Sequence, residues 1–354
     1  MKKKHKFKYF LIVILIILIC TLTFGALYVK NGIKTNNVDE GVIINIDSKM
    51  YAKDIFNELE DLGIIENGDI AYYYSRLMHK SDFKAGQYYA VNDIAINDLI
   101  DYLSDASNAI KNTTTITFIE GDWLKDFANK LAEKTNLKAD ELMAYWDDED
   151  VVKGYIDEYD FLTEEILKSD IRHPLEGYFF PETYEFYIET SPEAVTKRLL
   201  DQTDIIYKRH QEAFNESELS IHEVFTLASV VQYEASSAQD MRDVAGVFYN
   251  RLADGMRLQS SVTVCYAIDI EPNEDWVACE TNSDYDDPYN TYQNDGLPPG
   301  PILNPGEAAI DAVLNPSIHD FYYFIGDVCG DGKVYFASTY AEHNKNVEEY
   351  LWCY

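Results

Sequence analysis

Residues 9–29 carry no charged side chain; Lys2, Lys3, Lys4, Lys6 and Lys8 stand just before them and Lys30 closes the run. At about 1.5 Å per residue, a helix over this stretch is roughly 31 Å long, the thickness of a bilayer's hydrocarbon core. The pattern predicts one transmembrane helix from which the rest of the fold hangs. A cleaved signal peptide would have a shorter apolar part and end in a small-residue site, and no Ala-x-Ala stands here. Cys20 follows the bulky Ile19, so it reads as an apolar membrane cysteine and not as a lipid-attachment site. With the lysines on the amino side, residues 1–8 are expected in the cytoplasm and everything after residue 29 outside the membrane, extracellular or periplasmic.

The chain holds 29 Lys+Arg against 62 Asp+Glu, and its first thirty residues contain six Lys and no acid. An ectodomain this acidic excludes nucleic acid as a partner, because phosphates need a basic face. It also suits plain solubility, so it names no partner of its own. Four cysteines lie beyond the membrane segment, Cys265, Cys279, Cys329 and Cys353, which in an oxidising compartment allow two disulfides in three pairings. No Cys-x-x-Cys, GxSxG, P-loop or dinucleotide glycine pattern occurs. His222-Glu223 opens like a zinc-protease motif, but Thr226 stands where its second histidine belongs. The 327–332 stretch lacks calcium-loop spacing, and Asp331-Gly332 reads as a hairpin turn. Neither metal nor cofactor is expected.

Apolar spacing predicts an α+β ectodomain. After a polar tether at 30–41, a strand at 42–46 and a helix at 51–62 open a small module reaching residue 105, with helices at 71–78 and 96–103 around a strand near Gly86. A second strand–helix unit, 115–119 and then 123–131, resembles the first in detail: Lys53-Asp54-Ile55-Phe56-Asn57-Glu58-Leu59 beside Lys125-Asp126-Phe127-Ala128-Asn129-Lys130-Leu131. With an acidic helical bridge at 140–168 it fills residues 106–172. From residue 173 onward the Pro-Pro and most Gly-Pro, Asn-Pro and Asp-Gly turns predict loop-built walls around a few helices, a last domain of 173–354.

In the helix expected at 222–235, Leu227, Val230 and Val231 lie seven, four and three residues before Glu234, which puts that carboxylate on the apolar stripe. Burial there would raise its pKa toward that of a general acid working near neutral pH. A glutamate at a helix end can equally turn back to solvent, and spacing alone leaves both open. The next helix, 241–252, ends with Asn250 and Arg251, placed to bond a substrate or the glutamate. A polar lip is expected at 256–266 with Gln259, Ser260, Ser261 and Thr263. Tyr289-Asn290-Thr291-Tyr292, followed by Gly296-Leu297-Pro298-Pro299-Gly300-Pro301, joins aromatic faces suited to pyranose rings to a stiff backbone.

Taken together, Leu175-Glu176-Gly177-Tyr178, the 227–235 run, 244–259, Tyr289-Asn290-Thr291-Tyr292, the 296–302 loop, Asn304-Pro305-Gly306 and His343-Asn344-Lys345 resemble the endolytic murein transglycosylases of the YceG-like family. The resemblance covers nearly the whole chain. It implies an N-terminal membrane anchor, a LysM-like module at 42–105 and a catalytic domain that cleaves peptidoglycan between N-acetylmuramic acid and N-acetylglucosamine. Glu234 aligns with the family's catalytic glutamate. It implies substrate contacts from Asn250, Arg251, Gln259, Tyr289, Asn290, Thr291, Tyr292, Glu176 and His343, and wall-synthesis enzymes such as penicillin-binding proteins as partners. The chain departs from the family at Gln232, where an acid is common, and at Ser261-Val262, where Asp-Pro is usual. Two other functions fit the sequence: a muramidase-type hydrolase with a second carboxylate from Asp240, Glu176 or Glu182, and a non-catalytic wall-binding scaffold.

Overall fold

The computed structural model describes residues 19, 21, 23–25, 27–39, 41–110, 112–271, 275–327 and 333–350. The expected membrane segment lies for the most part outside the described residues, as do the Asp331-Gly332 turn, Cys329 and Cys353. Among the described residues no helix is long and apolar enough to cross a membrane. The chain forms two compact units, Met1–Asn112 and Thr113–Tyr354.

In the first unit, β1 (Ile43–Ile46) pairs antiparallel with β2 (Gly86–Tyr89), Ile44 opposite Tyr88. Alternation sends Ile44, Ile46 and Tyr88 to one buried face. Helix α1 (Ala52–Asp61) lays Ile55, Phe56 and Leu59 on that face, and α3 (Ile96–Ser104) adds Leu99, Ile100 and Leu103. Between α1 and β2 lies α2 (Gly68–Leu77), begun by Asn67, whose side chain accepts from Ile70 N.

The second unit opens with β3 (Thr113–Thr117), which pairs antiparallel with β4 (Thr183–Tyr187). Between them run α4 (Leu124–Lys134), α5 (Ala139–Trp146) and α6 (Glu149–Glu158). Asp126 accepts from Trp123 N and Asp148 from Val151 N, each satisfying an amide at a helix start. Phe118 stacks on Phe127, Trp146 meets Phe179 edge-on, and the Trp146 indole donates to Thr196 on α7 (Pro192–Arg209). The stretch expected as a bridge thus contributes to the same hydrophobic core as the later helices.

After α8 (Gln211–Glu216) comes α9 (Ile221–Glu234), started by a capping box in which Ser220 and Glu223 satisfy each other's backbone amides. The expected single apolar stripe on α9 is in fact burial on every side from His222 to Val231. The cause is its setting: α10 (Ala238–Ala253) and α13 (Glu307–Leu314) pack against it, and α11 (Ser261–Ala267) meets it near the site. The expected lip at 256–266 is therefore half helix: Val262 and Val264 are fully buried, and that burial overrides the β-branched preference for strand. Helix α12 (Trp276–Thr281) is tied to α11 by a disulfide between Cys265 and Cys279. An antiparallel pair, β5 (Tyr323–Gly326) and β6 (Val334–Ala337), and α14 (Tyr340–Tyr350) complete the unit.

Candidate active site

Glu234 is the last residue of α9, and the chain leaves it in extended geometry at Ala235. The side chain is half-buried. Ser260 Oγ donates to its Oε1 at 2.5 Å. Its pKa is raised chiefly by burial, against the opposing pull of the Ser260 hydroxyl and the Arg251 guanidinium. Burial thus favours the protonated form, from which a carboxyl can donate a proton, and the same two polar neighbours steady the anion it leaves.

Arg251 on α10 is buried and bound: Nε donates to Tyr322 O at 2.6 Å and Nη1 to Leu258 O at 2.6 Å, while the Tyr323 ring lies 5.3 Å from the guanidinium. It is a fixed positive charge whose field is felt at Glu234. Asn250 donates both amide hydrogens to His319 O and Phe321 O, at 2.8 and 2.9 Å, and so clamps the strand that approaches Arg251.

The loop before α13 is pinned to α9 at three points. His222 Nε2 bonds Pro299 O at 2.7 Å, Ile302 N donates to Ser229 Oγ at 3.0 Å, and Gly306 N donates to Gln232 Oε1 at 2.9 Å. Because Pro299 O can only accept, His222 carries its proton on Nε2 and accepts a hydrogen bond from Tyr178 OH on Nδ1. Burial holds that imidazole below its ordinary pKa. The Pro-Pro loop is thus a docked wall of the helix that presents Glu234. Gln232 Nε2 also lies 3.4 Å from Glu120, whose exposed carboxyl rests against Gly306; a Cβ there would sit 2.0 Å from it and make that side chain swing aside.

The Tyr-Asn-Thr-Tyr run divides in its placement. Tyr289 is buried, its hydroxyl accepting from Arg172 N, and Asn290 is buried with its amide on Ser283 O and Tyr285 O. Thr291, also buried, accepts from Ser260 N. Tyr292 is half-buried, and Glu234 is among the charges that raise its pKa after burial. Gln259 is exposed, with a positive φ of 50°. His343 stacks against Tyr323, and burial followed by the Arg251 charge lowers its pKa; its enclosed Nδ1 has no hydrogen-bond partner among the described residues. The structure therefore gathers Glu234, Arg251, Tyr292 and Ser260, with His343 behind Arg251.

Glu176 is elsewhere employed. Only 2% exposed, it accepts from Leu124 N at 2.8 Å, so it caps the start of α4, and burial pushes its pKa up to about 8. Asp240 accepts from Ser237 Oγ in the cap of α10, and Glu182 accepts from Thr183 N at an open cavity of about 460 Å³ that Glu120 also lines. The role of Ser260 was missed in the sequence; nothing in a serine within a polar run marks it as the one that meets the glutamate.

The model of the YceG-like family matches residues 44–349. The chain belongs to the YceG-like family. It is 34% identical to the endolytic murein transglycosylase of Bacillus subtilis over 88% of this chain and 85% of that one. It is 32% identical to the endolytic murein transglycosylase of Streptococcus pneumoniae over 93% of its own length, and it spans 62% of that relative. A crystal structure of a YceG-like protein from Listeria monocytogenes superposes with a TM-score of 0.61 at 31% identity, over 87% of this chain and 99% of that one.

Proposed function

We propose that this YceG-like protein is a membrane-anchored endolytic lytic transglycosylase of peptidoglycan, with Glu234 as both acid and base. The observation that carries the reading is a single carboxyl of raised pKa at the end of a buried helix, between a hydroxyl donor and a caged arginine. Glu234 protonates the oxygen linking N-acetylmuramic acid to N-acetylglucosamine, and the bond from that oxygen to C1 breaks. The carboxylate then takes the proton of the muramic C6 hydroxyl, whose oxygen bonds C1 to leave a 1,6-anhydro end. No water is consumed, so one carboxylate suffices where ordinary glycosidases use two. Tyr292, Gln259 and His343 are the residues proposed to meet sugar; Arg251 acts on Glu234 through its charge.

In this reading residues 9–29 anchor the protein in the cell membrane with its catalytic part outside, and residues 42–105 act as a LysM-like module that positions glycan. Its partners are nascent strands and the penicillin-binding proteins that extend them. The test is to incubate the full chain, in detergent, with purified peptidoglycan and to determine the released muropeptides by mass, alongside Glu234→Gln. Anhydro ends from the wild type and none from the variant are expected. Water-added ends would make the protein a hydrolase, and equal products from both proteins would remove Glu234 from its role.

A further inference from the structure

Ser260 is 4% exposed and fixed from several directions. Its N donates to Thr291 Oγ1 at 3.1 Å, its carbonyl accepts from Thr263 Oγ1 at 2.7 Å, and the two threonine hydroxyls lie 2.8 Å apart. The preceding residue, Gln259, is held in the left-handed region by its N–H on Thr291 O. Left-handed backbone is uncommon for a side-chain-bearing residue and persists only where its surroundings enforce it. The serine hydroxyl is thereby aimed at one atom, Glu234 Oε1. Among the described residues no other hydrogen bond reaches that carboxylate, so Oε2 is left to a ligand. The charged and titratable groups around Glu234 are Arg251 from α10 and Tyr292 from the loop after α12, with Tyr323 and His343 beyond Arg251.

We propose that Ser260 is a positioning residue that divides the work between the two oxygens of Glu234. Oε1 is committed to the serine hydroxyl, and Oε2 alone delivers the proton to the glycosidic oxygen and takes one back from the attacking hydroxyl. This rests on the transglycosylase reading above. Donor and acceptor atoms balance within one turnover: the proton that leaves Oε2 as the C1–O bond breaks is replaced when the new C1–O bond forms. The hydrogen bond survives in both states of Glu234 but is stronger to the anion, so it opposes the effect of burial and keeps the acid strong enough to donate. Thr263 and Thr291 contribute by removing the alternative directions in which Ser260 could point.

The decisive experiment compares wild type, Ser260→Ala and Ser260→Thr as full chains. It measures kcat and KM for anhydro-end formation against pH, and the titration of the Glu234 carboxyl by carbon-13 NMR, with Glu234→Gln identifying the resonance. Loss of one hydrogen bond to a charged group should move the alkaline limb and the carboxyl titration upward by about one pH unit in Ser260→Ala. In the same variant kcat should fall by about tenfold or more while KM stays near its wild-type value, and Ser260→Thr should restore both. Reduced activity with an unmoved limb and unmoved titration would make Ser260 merely structural and overturn the proposal. A wild type inert on peptidoglycan would instead overturn the reading beneath it, which separates the two failures.

Discussion

Glu176→Gln tests whether a buried carboxyl is kept neutral by the fold of the second unit. The ordinary carboxyl value is 4.5 and the folded one about 8, and the cause is burial at the start of α4. A raised carboxyl favours folding only while the unfolded chain is also protonated. Its stability contribution is complete below pH 4.5, falls as the unfolded chain ionises, and reaches its full loss once the pH passes the folded value. At 1.36 kcal/mol per unit, the loss is about 3 kcal/mol at pH 7. Glutamine keeps the oxygen that accepts from Leu124 N but cannot ionise in either state. Thermal unfolding of both full chains, followed by near-ultraviolet circular dichroism from pH 4 to 8, should give nearly equal midpoints at pH 4. They should then diverge until the variant is the more stable by roughly 6–12 °C at pH 7, taking about 2–4 °C per kcal/mol for a unit of this size. Groups that do not sense Glu176 contribute to both curves and drop out of the difference; the Asp147-paired His173, whose pKa the Glu176 charge helps to raise, is coupled to it and stays in the difference. Parallel curves would refute the reasoning, since they would mean that Glu176 ionises in the fold as easily as in water.

Gly177→Ala should destabilise the same unit by at least about 2 kcal/mol, because φ is +82° and a Cβ would lie 2.2 Å from Pro301; urea unfolding would measure it. Replacing Cys265 and Cys279 together by serine should cost about 3 kcal/mol, from a closed loop whose ends are 14 residues apart, read as a lowered midpoint that reductant no longer changes.

The parts of this molecule legible in its sequence are those written locally. Helix α9 announces itself through the apolar residues spaced back from Glu234. The module at 43–104 follows from the apolar, β-branched run at 42–46 and from Ile55, Phe56 and Leu59 at helical spacing. Parts decided by distant neighbours were not legible. The partner of β3 lies some seventy residues downstream, and α11 is helical despite Val262, Thr263 and Val264 because its surroundings bury them. The same holds at the site. Asn290 and Tyr292 belong to one four-residue motif, yet one braces a loop and the other looks toward the glutamate, a distinction that burial makes and residue type does not.

The clamp on Arg251 bears on the order in which the protein matures. Glu234 and Ser260 come together from nearby stretches of chain, but the guanidinium is caged only when Tyr322 arrives, and Asn250 needs His319 and Phe321 to hold that strand in place. A growing polypeptide therefore assembles the surroundings of Glu234 in steps, with Thr291 fixing Ser260 and α13 burying α9 before the guanidinium is caged. On the proposed reading, cutting ability is among the last properties the nascent chain acquires, which delays an activity aimed at the cell's own wall until nearly all of the molecule has been made.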